Sequence, residues 1–219
     1  MSEALSPEAT EVADFLLSEE SYITFGLGKL NFTLAGFRVD TQGYREIGHK
    51  IRQGAIEVRP VESAPGSSVA AVYTGLLDRL SVPAGLDLHT PRRRRIKDQS
   101  MVVHEVTHAL VDFHRFTTTG ALDEACAYVA GQLYAMSLGD LQSSSRPRDN
   151  AIFTASRTIV QQRRMKFVPG AVLMASDSDV AALAAAVRGH TQAYPDADVR
   201  RTGDGVHGGL IDPWYMPRN

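Results

Sequence analysis

The sequence predicts an α+β fold, and three observations carry that expectation. Residues 21–90 hold runs of β-branched and aromatic residues, partly alternating and broken by Gly or Pro, which is strand patterning. Around 98–116 an apolar stripe of Val103, Val106, Leu110 and Phe113 recurs at the three- and four-residue spacing of a helix. Beyond residue 120, Ala-rich segments suited to helices dominate. At 219 residues the chain suits a single domain, residues 1–219, with a sizeable core. It is expected to form an N-terminal helix-plus-sheet lobe over about 1–115 and a mainly helical lobe over about 116–219.

The elements follow in order. Ser6-Pro7-Glu8 opens a first helix, with Ser as N-cap, Pro at the first helical position and an acid in the first turn. Val12, Phe15 and Leu16 form its buried stripe, which ends near Glu20. Leu30–Val39, Ala55–Val61 and Val69–Val82 read as three or four strands of one small sheet. Val69–Val82 is the expected edge strand, able to hold an extended peptide as one more strand. His49 and His89 read as surface or capped histidines. Arg92-Arg93-Arg94-Arg95 reads as a solvated turn or a basic rim. Four arginines oppose the dipole of a helix N-terminus, so the helix is expected to begin nearer Asp98, as N-cap, and to run to about Phe116. Thr117-Thr118-Thr119-Gly120 is a break. A second helix then runs to Leu138, capped by Gly139. Ser143–Pro147 is a loop, 148–166 a helix, and Asp179–Arg188 a helix capped by Ser176 or Asp177. The Gly-rich tail from Thr202 is expected to be irregular.

Composition excludes several classes. Hydrophobic residues make up 43% and charged residues 22%, with a net charge of −2, so no bulk attraction to nucleic acid is implied. One cysteine, Cys126, rules out an intrachain disulfide and reads as a packed thiol. No apolar run approaches the ~18 residues of a membrane span. No basic segment followed by an apolar one opens the chain, so the cytoplasm is the expected location, although export without a cleaved signal would leave the same sequence.

The chemistry centres on His104-Glu105-Val106-Thr107-His108, an H-E-x-x-H pattern. Positions i and i+4 share one helix face, so both imidazoles can hold one zinc ion, with Glu105 beside them as a candidate general base. In a chain of this composition the pattern arises by chance roughly once in a hundred, so its sequel matters. A catalytic zinc takes three protein ligands and leaves one position open. Glu124, in the first turn of the second helix, is the favoured third ligand, and Tyr128 one turn on extends its face toward the site. Asp123 is the rival, because adjacent positions point about 100° apart.

His-Glu-Val-Thr-His-Ala-Leu-Val-Asp followed by Asp-Glu-Ala resembles the gluzincin zinc metallopeptidases, the thermolysin-like ones especially, over about residues 100–130. The resemblance implies a zincin-like fold, His104, His108 and Glu124 as zinc ligands, and Glu105 as the base that polarises a zinc-bound water. The chain departs from the thermolysin-like pattern at Tyr128, where that pattern carries an acidic residue, and its spacing from motif to Glu is shorter. The expected function is zinc-dependent hydrolysis of a peptide or protein substrate. Tyr128 is the first choice of oxyanion donor, ahead of His190 and His207. Asp112, one turn beyond His108, is placed either to accept a hydrogen bond from a ligand imidazole or to cap or bridge on the surface. The alternatives are a non-catalytic zinc-binding interaction domain and a metal-free helical interaction protein. Glu105 argues against the former, since a purely structural site has no use for a base.

Overall fold

The structure, a computed structural model, describes residues 4–24, 26–62, 71–89, 93–139, 150–164, 172–190 and 193–206. It is α+β. Among the described residues, helices α1 (Pro7–Leu17), α2 (Glu19–Ile23), α3 (Thr41–Arg52), α4 (Arg93–Phe113), α5 (Gly120–Ser137), α6 (Asn150–Arg164) and α7 (Asp177–Arg188) alternate with short strands. These are β1 (Phe32–Leu34), β2 (Phe37–Val39), β3 (Glu57–Val61), β4 (Val72–Thr74), β5 (Arg79–Pro83), β6 (Thr117–Thr119), β7 (Leu173–Met174) and β8 (Arg200–Thr202). No helix among the described residues is long and apolar enough to cross a membrane.

The strands do not form one N-terminal sheet. They make three small ones, ordered β2-β1-β7, β3-β5-β4 and β6-β8. The first joins the two halves of the chain, because β7 pairs in parallel with β1, Phe32 opposite Leu173. The segment expected as one strand over Val69–Val82 divides at a 3₁₀ turn, Gly75–Leu77, into edge strand β4 and central strand β5; residues 69 and 70 lie outside the described residues. Asp78 turns the chain at φ 44°, a left-handed conformation that Asp tolerates.

Helix α3 falls between the expected strands Leu30–Val39 and Ala55–Val61, where no element was expected. Its signals are local: Asp40 caps it by accepting from the Gly43 N–H at 3.1 Å, and Tyr44, Ile47 and Ile51 are buried at helical spacing. Gly48 faces α1 so closely that a Cβ there would lie 2.9 Å from Leu17 Cγ. The first helix is also shorter than expected: Ser18 ends α1 and caps α2, its hydroxyl accepting from Ser21 N–H.

Helix α4 is the long central element, packed mainly against α5 on one side and touching α3, β2, β4 and β5 on others. It begins at Arg93, earlier than Asp98, because the dipole penalty of cations in the first turn, about 0.3–1 kcal/mol, does not stop residues of good helix propensity from propagating. It ends at Phe113 rather than Phe116. Arg115 takes φ 52°, and the Arg115 and Phe116 N–H groups bond back to Asp112 and Val111 carbonyls, a Schellman closure. Val102, Val103, Val106 and Leu110 are fully or almost fully buried, so the stripe read from sequence enters the core. Beneath it, Tyr44 Oη donates to Thr107 Oγ1 at 2.8 Å while Thr107 Oγ1 donates to Val103 O at 2.7 Å. Thr107→Val is near-isosteric but leaves the buried Tyr44 hydroxyl without its acceptor. It should cost about 1–3 kcal/mol, lowering Tm by several degrees without altering metal affinity.

After Phe116 the expected break is a short strand. β6 pairs antiparallel with β8, Thr119 opposite Arg200, and residues 203–206 beyond it carry neither helix nor strand, as expected of the start of the tail. Thr119 then caps α5, and the Gly120 and Ala121 N–H groups bond to Val199 and Ala197 carbonyls at 3.1 and 2.7 Å. Those bonds occupy donors that a helix N-terminus leaves over, and they tie the 197–202 strand to the first turn of α5. Cys126 is buried, and α7 is capped by Ser176.

Candidate metal centre

Helices α4 and α5 bring the expected residues together. His104 and His108 project from one face of α4, their ring centroids 5.0 Å apart. Glu124 comes from the first turns of α5, with Oε2 3.5 Å from His104 Nε2 and Oε1 3.6 Å from His108 Nε2. Ligand atoms of the three residues lie within 4.8 Å of one another.

These distances are long for hydrogen bonds. Each is close to the roughly 3.4 Å edge of a tetrahedron around an ion bound at about 2.0–2.1 Å, but the two run to different Glu124 oxygens, and one ligand atom from each residue brings the set within 4.8 Å. Glu124 Oε2 is also buried without a hydrogen-bond partner, a cost of about 1–3 kcal/mol or more for a charged group unless something else satisfies it. Two imidazole nitrogens and one carboxylate are a donor set suited to zinc. On spacing, burial and chemistry, His104, His108 and Glu124 fit a zinc ion.

Both residues weighed as third ligand reach the site. Asp123 Oδ1 lies 2.9 Å from His108 Nδ1, on the other side of the ring from Glu124. Asp123 therefore orients the imidazole and fixes which nitrogen faces Glu124. This is one of the roles expected of Asp112, which the structure places elsewhere. Asp112 is 7% exposed, and its Oδ2 accepts from Tyr73 Oη at 2.8 Å. Its Oδ1 accepts from Asp204 N–H at 3.0 Å and Gly205 N–H at 3.4 Å. Asp112 joins α4 to strand β4 and to the 203–205 segment, and Gly203 packs so tightly there that a Cβ would lie 2.6 Å from Asp112 Cα. Burial, with Asp204 nearby, pushes the Asp112 carboxyl up.

Glu105 is 9% exposed and is fixed at one oxygen. Its Oε2 accepts from the Tyr73 backbone N–H at 2.8 Å, while Oε1 lies 3.9 Å from His104 Nε2. One carboxylate oxygen is thus held by the edge strand and the other is directed beside the candidate ligands. Tyr128 packs edge-on against the His104 ring at 4.8 Å, but its hydroxyl meets that of Tyr194 at 2.6 Å. Tyr194 lines the cleft. Sequence reading missed it, because an isolated Tyr after α7 carries no local signal. His190 follows α7 and is not part of the cleft lining, and His207 lies outside the described residues.

The cleft has a volume of about 860 Å³. One wall is β4 with its 3₁₀ turn, the floor is α4 with the start of α5, and the far wall is formed by 193–197 and 200–204. Electrostatics inside it are dominated by carboxylates. Burial alone would push the His108 pKa down, but Asp123, Glu124 and Glu105 together outweigh it and hold it up to about 10. Burial alone would raise Glu124, yet the two imidazoles hold its carboxyl below the usual range.

Two expectations follow. A cation must displace the proton held on His108, so metal uptake at pH 7 should release about one proton per ion. Apparent affinity should then rise nearly tenfold per pH unit between pH 6 and 8, and calorimetry in buffers of differing ionisation enthalpy reads the count. A pH-independent affinity would contradict the raised His108. Separately, Asp123→Asn should weaken zinc binding about 10–100-fold through the freed imidazole, as measured by competition with a chromophoric chelator.

Compared with protein-family models, with curated proteins and with solved structures, the chain gives no match.

Proposed function

We propose that the protein is a zinc-dependent hydrolase of peptide bonds, with a zincin-like arrangement of its active-site helix and edge strand. The observation that carries this reading is the convergence of ligand atoms of His104, His108 and Glu124 within 4.8 Å, with Glu105 anchored beside them and not among them. When bound, zinc supplies a Lewis acid for the substrate carbonyl and lowers the pKa of water toward ~7.

The chain's own residues supply the rest. His104, His108 and Glu124 provide the ligand atoms, and Asp123 holds His108 in orientation. Glu105, fixed by the Tyr73 N–H at Oε2, takes the proton of the attacking water at Oε1 and returns it to the leaving amine. The Tyr128–Tyr194 hydroxyl pair is the source of the oxyanion donor, with Tyr194 on the cleft wall and Tyr128 fixing it from beside His104. Strand β4, an edge strand at the cleft, borders the path for an extended substrate.

The test is metal analysis of protein purified without a His-tag, followed by incubation of the zinc-loaded chain with a mixed peptide library, with and without a chelator. About one zinc per chain and chelator-sensitive cleavage support the reading. Stoichiometric zinc without any cleavage favours a zinc-binding interaction domain, and failure to bind zinc removes both.

A further inference from the structure

The charges around the cleft bear on substrate chemistry, given the hydrolase reading on which this inference rests. Nearly every charged side chain lining the cleft has a partner. Glu105 takes the Tyr73 N–H, Asp123 takes His108, Glu124 faces both imidazoles, Asp112 takes Tyr73 and the Asp204 N–H, and Asp196 takes the Arg201 guanidinium at 3.0 Å. Arg200 lines the same cleft and is exposed, and among the described residues no hydrogen bond or ion pair holds its guanidinium.

The position of Arg200 is fixed by backbone. It pairs with Thr119, the N-cap of α5, and its neighbour Val199 accepts from the Gly120 N–H at 3.1 Å. Glu124 lies five residues beyond Thr119 on the same helix, about 7.5 Å along its axis at 1.5 Å per residue. Combined at right angles with a strand spacing of about 5 Å, this puts the Arg200 backbone roughly 9 Å from that of Glu124, a span of about three residues of extended peptide. Across the cleft the wall is apolar, with Val72 52% and Leu76 66% exposed. A substrate lying between these walls meets aliphatic surface on one side and, on the other, a cation carried by a fixed strand.

We propose that the cleft selects peptides carrying a carboxylate within about three residues of the bond cut, and that Arg200 binds that carboxylate. Its planar guanidinium offers paired donors that match a carboxylate. The carboxylate can be an Asp or Glu side chain or the C-terminus of a short peptide, since both present the same group.

The probes are Leu-rich peptide hydroxamates of equal length, whose hydroxamate engages zinc whether or not any peptide is cut. One carries Glu three residues from the hydroxamate and an amidated C-terminus, one carries Gln there, and one is neutral with its free C-terminal carboxylate at that distance. Zinc-loaded full-length protein should bind the Glu probe about three- to tenfold tighter than the Gln probe, and the difference should shrink in 0.5 M NaCl. Tighter binding of the free-carboxylate probe as well would make the chain terminus the second source; tighter binding of the Glu probe alone would restrict selection to side chains. Arg200→Gln should abolish the difference and Arg200→Glu should reverse it in favour of a Lys probe. Arg188→Gln, which removes a cation paired with Asp198 on α7, should leave it intact. Equal binding of the Glu, Gln and free-carboxylate probes by wild type, or a preference unchanged in Arg200→Glu, overturns the proposal and leaves the hydrolase reading standing. If no hydroxamate binds the zinc-loaded chain, that reading falls and the proposal with it.

Discussion

His108→Ala and Glu124→Gln should each lower zinc affinity by two to three powers of ten, enough to remove stoichiometric zinc after dialysis. Structural zinc sites bind with an apparent ~10–16 kcal/mol shared among their ligands, so one ligand is worth roughly 3–4 kcal/mol. Asp123→Asn should lose less, about 10–100-fold, since it orients a ligand without being one. The order of the two carboxylates decides the site. If Asp123→Asn proved the more damaging, Asp123 would be the ligand and Glu124 the orienting group. Thermal unfolding with and without zinc gives a second readout, because an ion that binds only the folded chain raises Tm with concentration. Wild type should show that rise and His108→Ala should not.

The clustering of His104, His108 and Glu124 was legible because its signal is local. His104 and His108 face one way by helical period, and the stripe of Val103, Val106 and Leu110 fixes which way the helix turns in the core. The choice between Asp123 and Glu124 was posed too narrowly. Adjacent positions diverge by about 100°, but an imidazole offers two nitrogens on different edges, so both carboxylates can engage His108. Asp112 shows the opposite failure: spacing put it one turn from His108, and only the fold reveals that Tyr73 and the 203–205 segment claim it. Non-local pairings left no trace in the pattern. The two residues of β7 that join β1, and the three of β8 just ahead of the Gly-rich tail, are too short to show a period. Helix α3 was readable from Asp40, Tyr44, Ile47 and Ile51, but Gly43 and Gly48 disguised it. Gly43 and Gly48 are there for contact: a Cβ at 43 would lie 2.7 Å from Leu110 Cδ2, which brings α3 close against α4.

Glu105→Gln should leave zinc bound and the fold intact while turnover falls by about 10²–10⁴, the share attributed to general acid–base catalysis. Gln keeps the size of the side chain, and its amide oxygen can still accept from the Tyr73 N–H, so the anchor to β4 survives. What disappears is the second carboxylate oxygen as a proton acceptor beside His104. A structural role for Glu105 predicts a different result: its loss would loosen β4 and lower Tm, with activity falling only in step with stability. Tyr73→Phe provides the comparison, because it removes the hydroxyl bond to Asp112 while keeping the backbone N–H that Glu105 uses. That variant should lose stability by about 1–2 kcal/mol and retain most of its turnover per folded molecule. The measurement is kcat on the best library peptide, together with zinc content and Tm for each variant. Full turnover in zinc-loaded Glu105→Gln would remove Glu105 from the chemistry, and the water would need another base among the groups lining the cleft.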